Sequence, residues 1–205
     1  MLFFVVYCSL ATRMKQEYRA SGSYTYERQK DRCSRHRTYK IHREFAKSIM
    51  CPIPAGCRVV DLGASFGTLV KQLKDAGYDA FGVDGTPGIE ELTNGLVRWA
   101  DLTDCPELEG AADWAVFTDV GEHIPPELEK KLLDNACRVA KSGIVVSWSN
   151  RHGSHWGHVN CHDEKWVIEQ FSKRGWAFDS IATVEAQNVW KRNRRVPWVF
   201  RRELK

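Results

Sequence analysis

After residue 56, hydrophobic and polar positions change between two patterns. Short apolar runs predict strands, and apolar residues that recur every three or four positions predict helices. The strands are expected at 58–62, 80–83, 97–100, 113–118, 143–149, 178–184 and 196–201. The helices are expected at 68–76, 88–96, from 125 to about 141, and at 163–174.

This alternation of strands and helices predicts the α/β class. Strands that are separated by helices of this length form a mainly parallel sheet with helices on both faces. No helix is predicted between the last two strands, so we expect these two to pair antiparallel.

The first fifty residues have a different pattern. Residues 12–50 are polar, basic and aromatic, and Tyr39, His42, Phe45, Ala46 and Ile49 recur at helical spacing. Pro and Gly within 51–56 end this predicted helix. We therefore divide the chain into an N-terminal helical extension, 1–52, and an α/β domain, 53–205.

Two interpretations stay open for the extension. It either packs as a scaffold on the sheet or covers a ligand as a lid, and the lid would use the aromatic and basic side chains Tyr24, Tyr26, Arg28, Arg35 and Arg37. Apolar residues 1–11 are too few for a membrane helix and lack the features of a signal peptide. They are interpreted as a buried strand or as a leader before a second start at Met14.

Composition indicates a globular, reduced protein. The 205 residues are 43% hydrophobic and 27% charged, which is typical of one folded domain. The seven cysteines include no C-x-x-C pair, so we expect a cytoplasmic protein without disulfides.

Charge is distributed unevenly along the chain. Residues 61–134 carry a net charge of −11, whereas 1–60 carry +8 and 135–205 carry +7. The basic flanks either are ordinary solvated surface or meet an anionic substrate or nucleic acid.

The strongest local signal is a glycine-containing turn between the first strand and its helix. Gly63 allows a tight turn with a ligand against its backbone, and Gly67 allows the helix to pack close to the sheet. Asp84 ends the second strand, 23 residues after Asp61, where a carboxylate can accept both hydroxyls of a ribose. Both strand ends lie at the carboxyl edge of the sheet, where open α/β sheets bind ligands.

The turn is not that of a dinucleotide site. Ser65 and Thr68 replace the second and third glycines of G-x-G-x-x-G, so a pyrophosphate would lack the open backbone it needs. Asp61 suits a cationic ligand instead. S-adenosylmethionine, which carries an ammonium and a sulfonium, fits that description.

The sequence resembles the class I S-adenosylmethionine-dependent methyltransferases over about residues 57–150. The resemblance lies in D-L-G-A-S-F-G at 61–67, in Asp84, in A-D-L at 100–102 and in F-T-D-V-G-E-H-I-P at 117–125. It implies a Rossmann-like three-layer sandwich with strand order 3-2-1-4-5-7-6 and strand 7 antiparallel. It also implies cofactor contacts from Asp61, Gly63, Ala64, Ser65, Gly67, Asp84, Gly85, Asp101, Leu102, Asp119 and Val120.

In that family Asp84 would hold the ribose and Asp101 would face the adenine amine. Asp119 would lie beside the methionine portion of the cofactor.

Candidate catalytic residues follow the fourth and fifth strands. His123 is either a general base or a structural histidine at a helix entry. The loop 150–162 offers His155 or His158 as a base, Trp156 as a pocket wall and Asn160 as an orienting amide.

Two alternatives for this loop are a plain lid and a metal site. The metal site would use His155, His158 and His162, which have ligand-like spacing. We expect an acceptor pocket that binds no metal.

The predicted function is methyl transfer to oxygen or nitrogen of a small molecule by a monomer or homodimer, with no membrane contact. One alternative is an RNA methyltransferase that uses the basic flanks, including 191–195, although no N-P-P-Y-like motif follows strand 4. Another is a non-catalytic subunit that binds the cofactor for a partner enzyme.

Overall fold

Strands and helices alternate through most of the molecule. The protein is represented by a computed structural model that describes residues 43–151, 157–190 and 197–203. The strands are β1 (Arg58–Leu62), β2 (Asp79–Asp84), β3 (Val97–Trp99), β4 (Ala112–Thr118), β5 (Ala140–Ser147), β6 (Trp176–Phe178) and β7 (Trp198–Arg202). The helices are α1 (Arg43–Met50), α2 (Thr68–Asp75), α3 (Ile89–Leu92), α4 (Glu129–Val139), α5 (Glu164–Ser172) and α6 (Ser180–Val189). Short 3-10 turns cover Pro106–Leu108, Gly121–His123 and Pro126–Leu128.

The seven strands form one sheet in the order β3-β2-β1-β4-β5-β7-β6. The pairs from β3 to β5 are parallel, and β7 is antiparallel to both β5 and β6. This confirms the predicted fold class, strand order and antiparallel final pair. Because β1 lies between β2 and β4, the loops that follow these three strands meet at one edge of the sheet.

Two hydrophobic clusters cover the two faces of the sheet. Side chains alternate between faces along a strand, so Val60 belongs to one cluster and Val59 to the other. Leu132 of α4 and Phe171 of α5 pack with Val60, whereas Leu69 of α2 packs with Val59. The helices therefore flank the sheet on both sides, as predicted.

Helix α1 confirms the described part of the predicted N-terminal helix. Phe45, Ala46 and Ile49 are buried in the same cluster as Val59, and the Phe45 ring packs edge-on against Trp190 at 5.3 Å. Residues 43–50 thus serve as scaffold. Tyr39, His42, the N-terminal apolar run and the candidate lid residues lie outside the described residues, and the division at residue 52 stays a prediction.

The strand predicted at 178–184 is wrong. Strand β6 ends at Phe178, and α6 follows it, so a helix does lie between the last two strands. The Asp179 carboxylate caps α6 by accepting the Ala182 N–H at 2.9 Å. Ile181 and Val184 favoured a strand as β-branched residues, but they lie on the solvent side, 73% and 54% exposed.

Two predicted helices are shorter than expected. The segment after Pro125 forms a 3-10 turn first, and α4 ends at Val139, where β5 begins at once. Helix α3 is a single turn, because Asn94 and Gly95 adopt left-handed backbone conformations (φ 50° and 77°).

No helix in the described part of the chain combines the length and the apolar character needed to cross a membrane.

Candidate active site

The turn after β1 folds over the end of β2. The N–H groups of Gly63 and Ala64 both donate to the Val83 carbonyl, at 2.9 and 3.0 Å. Gly63 has φ 79°, and a Cβ there would lie 2.5 Å from a methyl of Val120. Only glycine therefore lets the turn after β1 lie against the residues that follow β4.

Asp84 connects the turn after β1 to the turn after β2. One of its carboxylate oxygens accepts the Ser65 N–H and the other accepts the Thr86 N–H, each at 2.9 Å. Each oxygen of an ionised carboxylate has two acceptor positions, so both keep capacity for a ligand hydroxyl. Ser65 has φ 50°, a conformation that costs a non-glycine residue about 1–2 kcal/mol. The Asp84 bond offsets that cost.

Asp61 is a buried carboxyl group beside Asp84. Its side chain is on β1 and is only 4% exposed. Burial, and after it the negative charge of Asp84, raise the pKa of Asp61 to about 7. A cation bound here would stabilise the ionised form of Asp61.

The other predicted adenine-side residues lie after β2 and β3. One Asp101 oxygen accepts both the N–H and the hydroxyl of Thr103, at 2.9 and 2.8 Å, which fixes the turn after β3. Leu102 is buried in the core. The Trp99 indole N–H donates to the Gly85 carbonyl at 3.3 Å, and its ring is 50% exposed at the strand ends. Trp99 was not among the predicted cofactor residues, although an aromatic residue directly before A-D-L is a usable sequence signal.

Asp119 is held in a left-handed conformation at the end of β4. It has φ 54°; its carboxylate accepts the Ser147 hydroxyl at 2.9 Å, and its N–H donates to the same hydroxyl oxygen at 3.1 Å. This pairing links the ends of β4 and β5. It places Val120 against Gly63 and turns the chain into the 3-10 turn Gly121–His123.

Glu122, His123 and His158 form a cluster next to Val120. One potential ligand atom from each lies within 4.8 Å of the others. The two imidazole rings are perpendicular, with centroids 4.9 Å apart. The structure thus brings together two of the predicted catalytic histidines. It adds Glu122, which is 1% exposed and had no assigned role from the sequence.

The Trp148 ring packs against Gly121, the first residue of the turn that carries Glu122 and His123. A Cβ at Gly121 would lie 2.3 Å from the Trp148 ring, so only glycine fits between the ring and the turn. The Trp148 indole N–H donates to the Asn160 carbonyl at 2.7 Å. The Glu122 carbonyl accepts the N–H groups of Val159 and Asn160, at 2.8 and 3.0 Å. Backbone hydrogen bonds therefore connect the segment that carries Glu122 and His123 to the segment that carries His158.

Asn160 and His162 face away from the cluster. The Asn160 amide donates to a Glu129 oxygen at 2.8 Å, and Asn160 is 5% exposed. His162 contacts the same oxygen at 2.7 Å and stacks on Trp166. His162 therefore does not join His158 as the metal interpretation required, and the Asn160 amide already has a partner within the protein. His155 and Trp156 lie outside the described residues.

Comparison of the sequence with protein-family models finds no match, and comparison with curated proteins finds no significant one. Comparison of structures finds 738 similar solved chains. Magnesium protoporphyrin IX methyltransferase from Synechocystis, solved with bound S-adenosylmethionine, is 16% identical with a TM-score of 0.57 and covers 78% of this chain and 76% of its own.

Two further solved structures cover more of the chain. A 1,6-didemethyltoxoflavin-N1-methyltransferase from Burkholderia thailandensis, bound to 1,6-didemethyltoxoflavin and S-adenosylhomocysteine, is 14% identical (TM-score 0.61; 86% and 87% covered). A TehB-like S-adenosylmethionine-dependent methyltransferase from Corynebacterium glutamicum is 17% identical (TM-score 0.62; 86% and 95% covered). The chain has the Rossmann-like fold of the class I methyltransferases.

Proposed function

We propose that this protein is an S-adenosylmethionine-dependent methyltransferase that acts on oxygen or nitrogen of a small molecule. The observation that carries the proposal is Asp84, which is buried at the carboxyl end of β2 and fixed by two backbone N–H groups beside Asp61. A carboxylate so placed suits the two ribose hydroxyls of the cofactor. Two of the similar structures contain S-adenosylmethionine or S-adenosylhomocysteine, which supports this choice of ligand.

In this proposal the cofactor lies along the edge formed by the turns after β1, β2, β3 and β4. Its amino acid portion lies near the acidic groups at the ends of β1 and β4, and its adenine lies near the turn after β3. The residues assigned to the cofactor are Asp61, Gly63, Ala64, Ser65, Gly67, Asp84, Gly85, Asp101, Leu102, Asp119 and Val120.

We assign the methyl acceptor to a position next to the cluster of Glu122, His123 and His158. Methyl transfer breaks the carbon–sulfur bond, whose electron pair goes to sulfur, while an acceptor lone pair forms the new bond to carbon. The protein must align the acceptor and assist the loss of its proton. The cluster follows Val120 directly, and Val120 packs on the cofactor turn at Gly63, so proton removal falls to this cluster. His155 and Trp156 are proposed to complete the pocket.

The small-molecule assignment is favoured over the two alternatives. Two of the similar structures are methyltransferases of small molecules, magnesium protoporphyrin IX and 1,6-didemethyltoxoflavin. A carboxylate and two imidazoles beside the turn after β1 are more than a cofactor-binding subunit requires.

Calorimetric titration tests the cofactor assignment. S-adenosylhomocysteine is expected to bind with one site per chain, and NAD is expected to produce no binding signal. The reason is that Ser65 and Thr68 remove the open backbone that a pyrophosphate needs. Saturable binding of NAD without a response to S-adenosylhomocysteine would reject the proposal.

The same titration is expected to depend on pH below about 7. The pKa of Asp61 is raised to about 7 in the free protein, so at lower pH the group is protonated and must lose its proton when the ammonium of the ligand binds. Affinity should therefore rise by up to about tenfold per pH unit toward pH 7 and then level off. Asp61→Asn should remove this dependence, and Asp79→Asn, at the exposed start of β2, should retain it. If the affinity of Asp61→Asn changed with pH as steeply as that of the wild type, the titrating group would be a residue other than Asp61.

A further inference from the structure

The two imidazoles of the cluster share one hydrogen-bond arrangement. His123 Nδ1 lies 3.2 Å from the Gly157 carbonyl, and His158 Nδ1 lies 3.0 Å from the Arg151 carbonyl. A carbonyl oxygen only accepts hydrogen bonds, so Nδ1 carries the proton in both neutral rings and Nε2 carries the lone pair. Histidines that bind metals are oriented in this way, with the second nitrogen donating to a backbone carbonyl or carboxylate.

The third member supplies the negative charge. Glu122 is 1% exposed, so its carboxylate lies within the protein beside the two imidazoles. The negative charge of the carboxylate attracts a divalent cation to the position between these three groups. Two imidazoles and one glutamate are a ligand set of catalytic zinc sites.

The distances fit a site that closes around an ion. The three ligand atoms lie within 4.8 Å of one another, and tetrahedral zinc holds its ligands about 3.3 Å apart. Small rotations of the side chains would close this gap. The backbone is already fixed, because the Glu122 carbonyl accepts the Val159 and Asn160 N–H groups and Gly121 rests on Trp148.

We propose that Glu122, His123 and His158 bind one divalent transition-metal ion, with zinc as the preferred ion. This site differs from the one considered in the sequence, since His162 is engaged with Glu129 and Trp166 instead. Glu122 and His123 are adjacent in sequence and His158 follows 35 residues after His123, a spacing that matches no short metal-binding motif.

The ion would act on the acceptor, and this step rests on the proposed methyltransferase function. Three protein ligands leave a fourth position open for an acceptor hydroxyl. Bound there, the hydroxyl has a lowered pKa and releases its proton to solvent. Its oxygen then forms the bond to the methyl carbon as the carbon–sulfur bond breaks. In the metal-loaded protein the two imidazoles are thus ligands, and the ion replaces a protein base.

Zinc titration of the full-length, chelator-stripped protein tests the site. Calorimetry and elemental analysis are expected to give one zinc per chain. His158→Ala should weaken binding by at least about 100-fold, because loss of an outer partner alone already costs 10–100-fold. Glu122→Gln keeps the side-chain shape and should also weaken it. His162→Ala is the matched control, a histidine of the same loop outside the cluster, and should stay within about threefold of wild type.

Cobalt substitution identifies the ligands. Four-coordinate cobalt in the wild type is expected to give visible d–d bands that disappear in His158→Ala, with circular dichroism confirming that each variant is folded. The proposal is overturned by the absence of stoichiometric zinc, by equal losses in His158→Ala and His162→Ala, or by a thiolate-to-cobalt band, since the proposed set contains no sulfur. Titration of the metal-free protein with S-adenosylhomocysteine distinguishes failure of the metal proposal from failure of the methyltransferase proposal. Binding of S-adenosylhomocysteine without stoichiometric zinc would reject the metal site alone.

Discussion

Alanine at His123 or His158 is expected to lower methyl-transfer turnover by about 10²–10⁴-fold, the range that positioned proton transfer contributes to catalysis. Both imidazoles lie in the cluster beside Val120, where the acceptor must lose its proton. A similar loss is expected if the imidazoles hold a metal ion, because the ion then activates the acceptor. Affinity for S-adenosylhomocysteine should change little, since Asp61 and Asp84 are untouched.

His162→Ala is the control for these two variants. His162 lies in the same loop but pairs with Glu129 and stacks on Trp166, so its loss should affect stability more than turnover. Steady-state kinetics on the acceptor and calorimetry with S-adenosylhomocysteine measure the two effects separately. Turnover near wild type in both His123→Ala and His158→Ala would remove the cluster from the mechanism.

Asp84→Ala is expected to weaken S-adenosylhomocysteine binding by at least tenfold. A hydrogen bond to a charged group contributes about 1.5–3 kcal/mol, and the Asp84 carboxylate offers one to each ribose hydroxyl. The substitution also removes the partners of the Ser65 and Thr86 N–H groups, so the turns after β1 and β2 lose their connection. Calorimetric titration of the variant gives the ratio of dissociation constants.

Asp79→Ala is the matched control, because it removes the same charge from the other end of β2. Its carboxylate lies in an exposed ion pair with Arg58, and exposed pairs contribute little stability. Asp79→Ala should therefore bind S-adenosylhomocysteine like wild type. An unchanged dissociation constant in Asp84→Ala would mean that the ribose is bound elsewhere.

The sheet and its cofactor edge could be predicted because their signals are local. Gly63 and Gly67 have left-handed backbone conformations, which glycine adopts more easily than other residues. Asp84 comes at the end of a short apolar run. These features lie close together in sequence and depend little on distant contacts. The order of the strands has no such local signal. It was expected from the resemblance to the methyltransferase family, and the observed pairing of the strands confirms that order.

Helix α6 could not be predicted in this way, because its signals conflict. Ile181 and Val184 favour a strand by propensity, and the sequence does not show that both lie on the solvent side. The cap at Asp179 was the signal for a helix, together with small residues at Ala182 and Ala186 on the buried side.

The acceptor side was only partly predictable. His123 and His158 were recognised as titratable residues after β4 and β5, but their meeting depends on backbone bonds between Glu122 and residues 159–160. The support from Trp148 depends on its contact with Gly121, 27 residues earlier in the chain. Such contacts follow from the packing of two loops and have no local pattern.

Measurement of methyl transfer itself is the most direct test of the proposed function. The purified protein is incubated with S-adenosylmethionine carrying a labelled methyl group and with separate small-metabolite and RNA fractions, and the products are analysed by mass spectrometry. One small molecule is expected to gain a single labelled methyl group, and Asp84→Ala is expected to reduce this gain greatly. Label found only in RNA, or no transfer by a protein that binds S-adenosylhomocysteine, would contradict the proposed function.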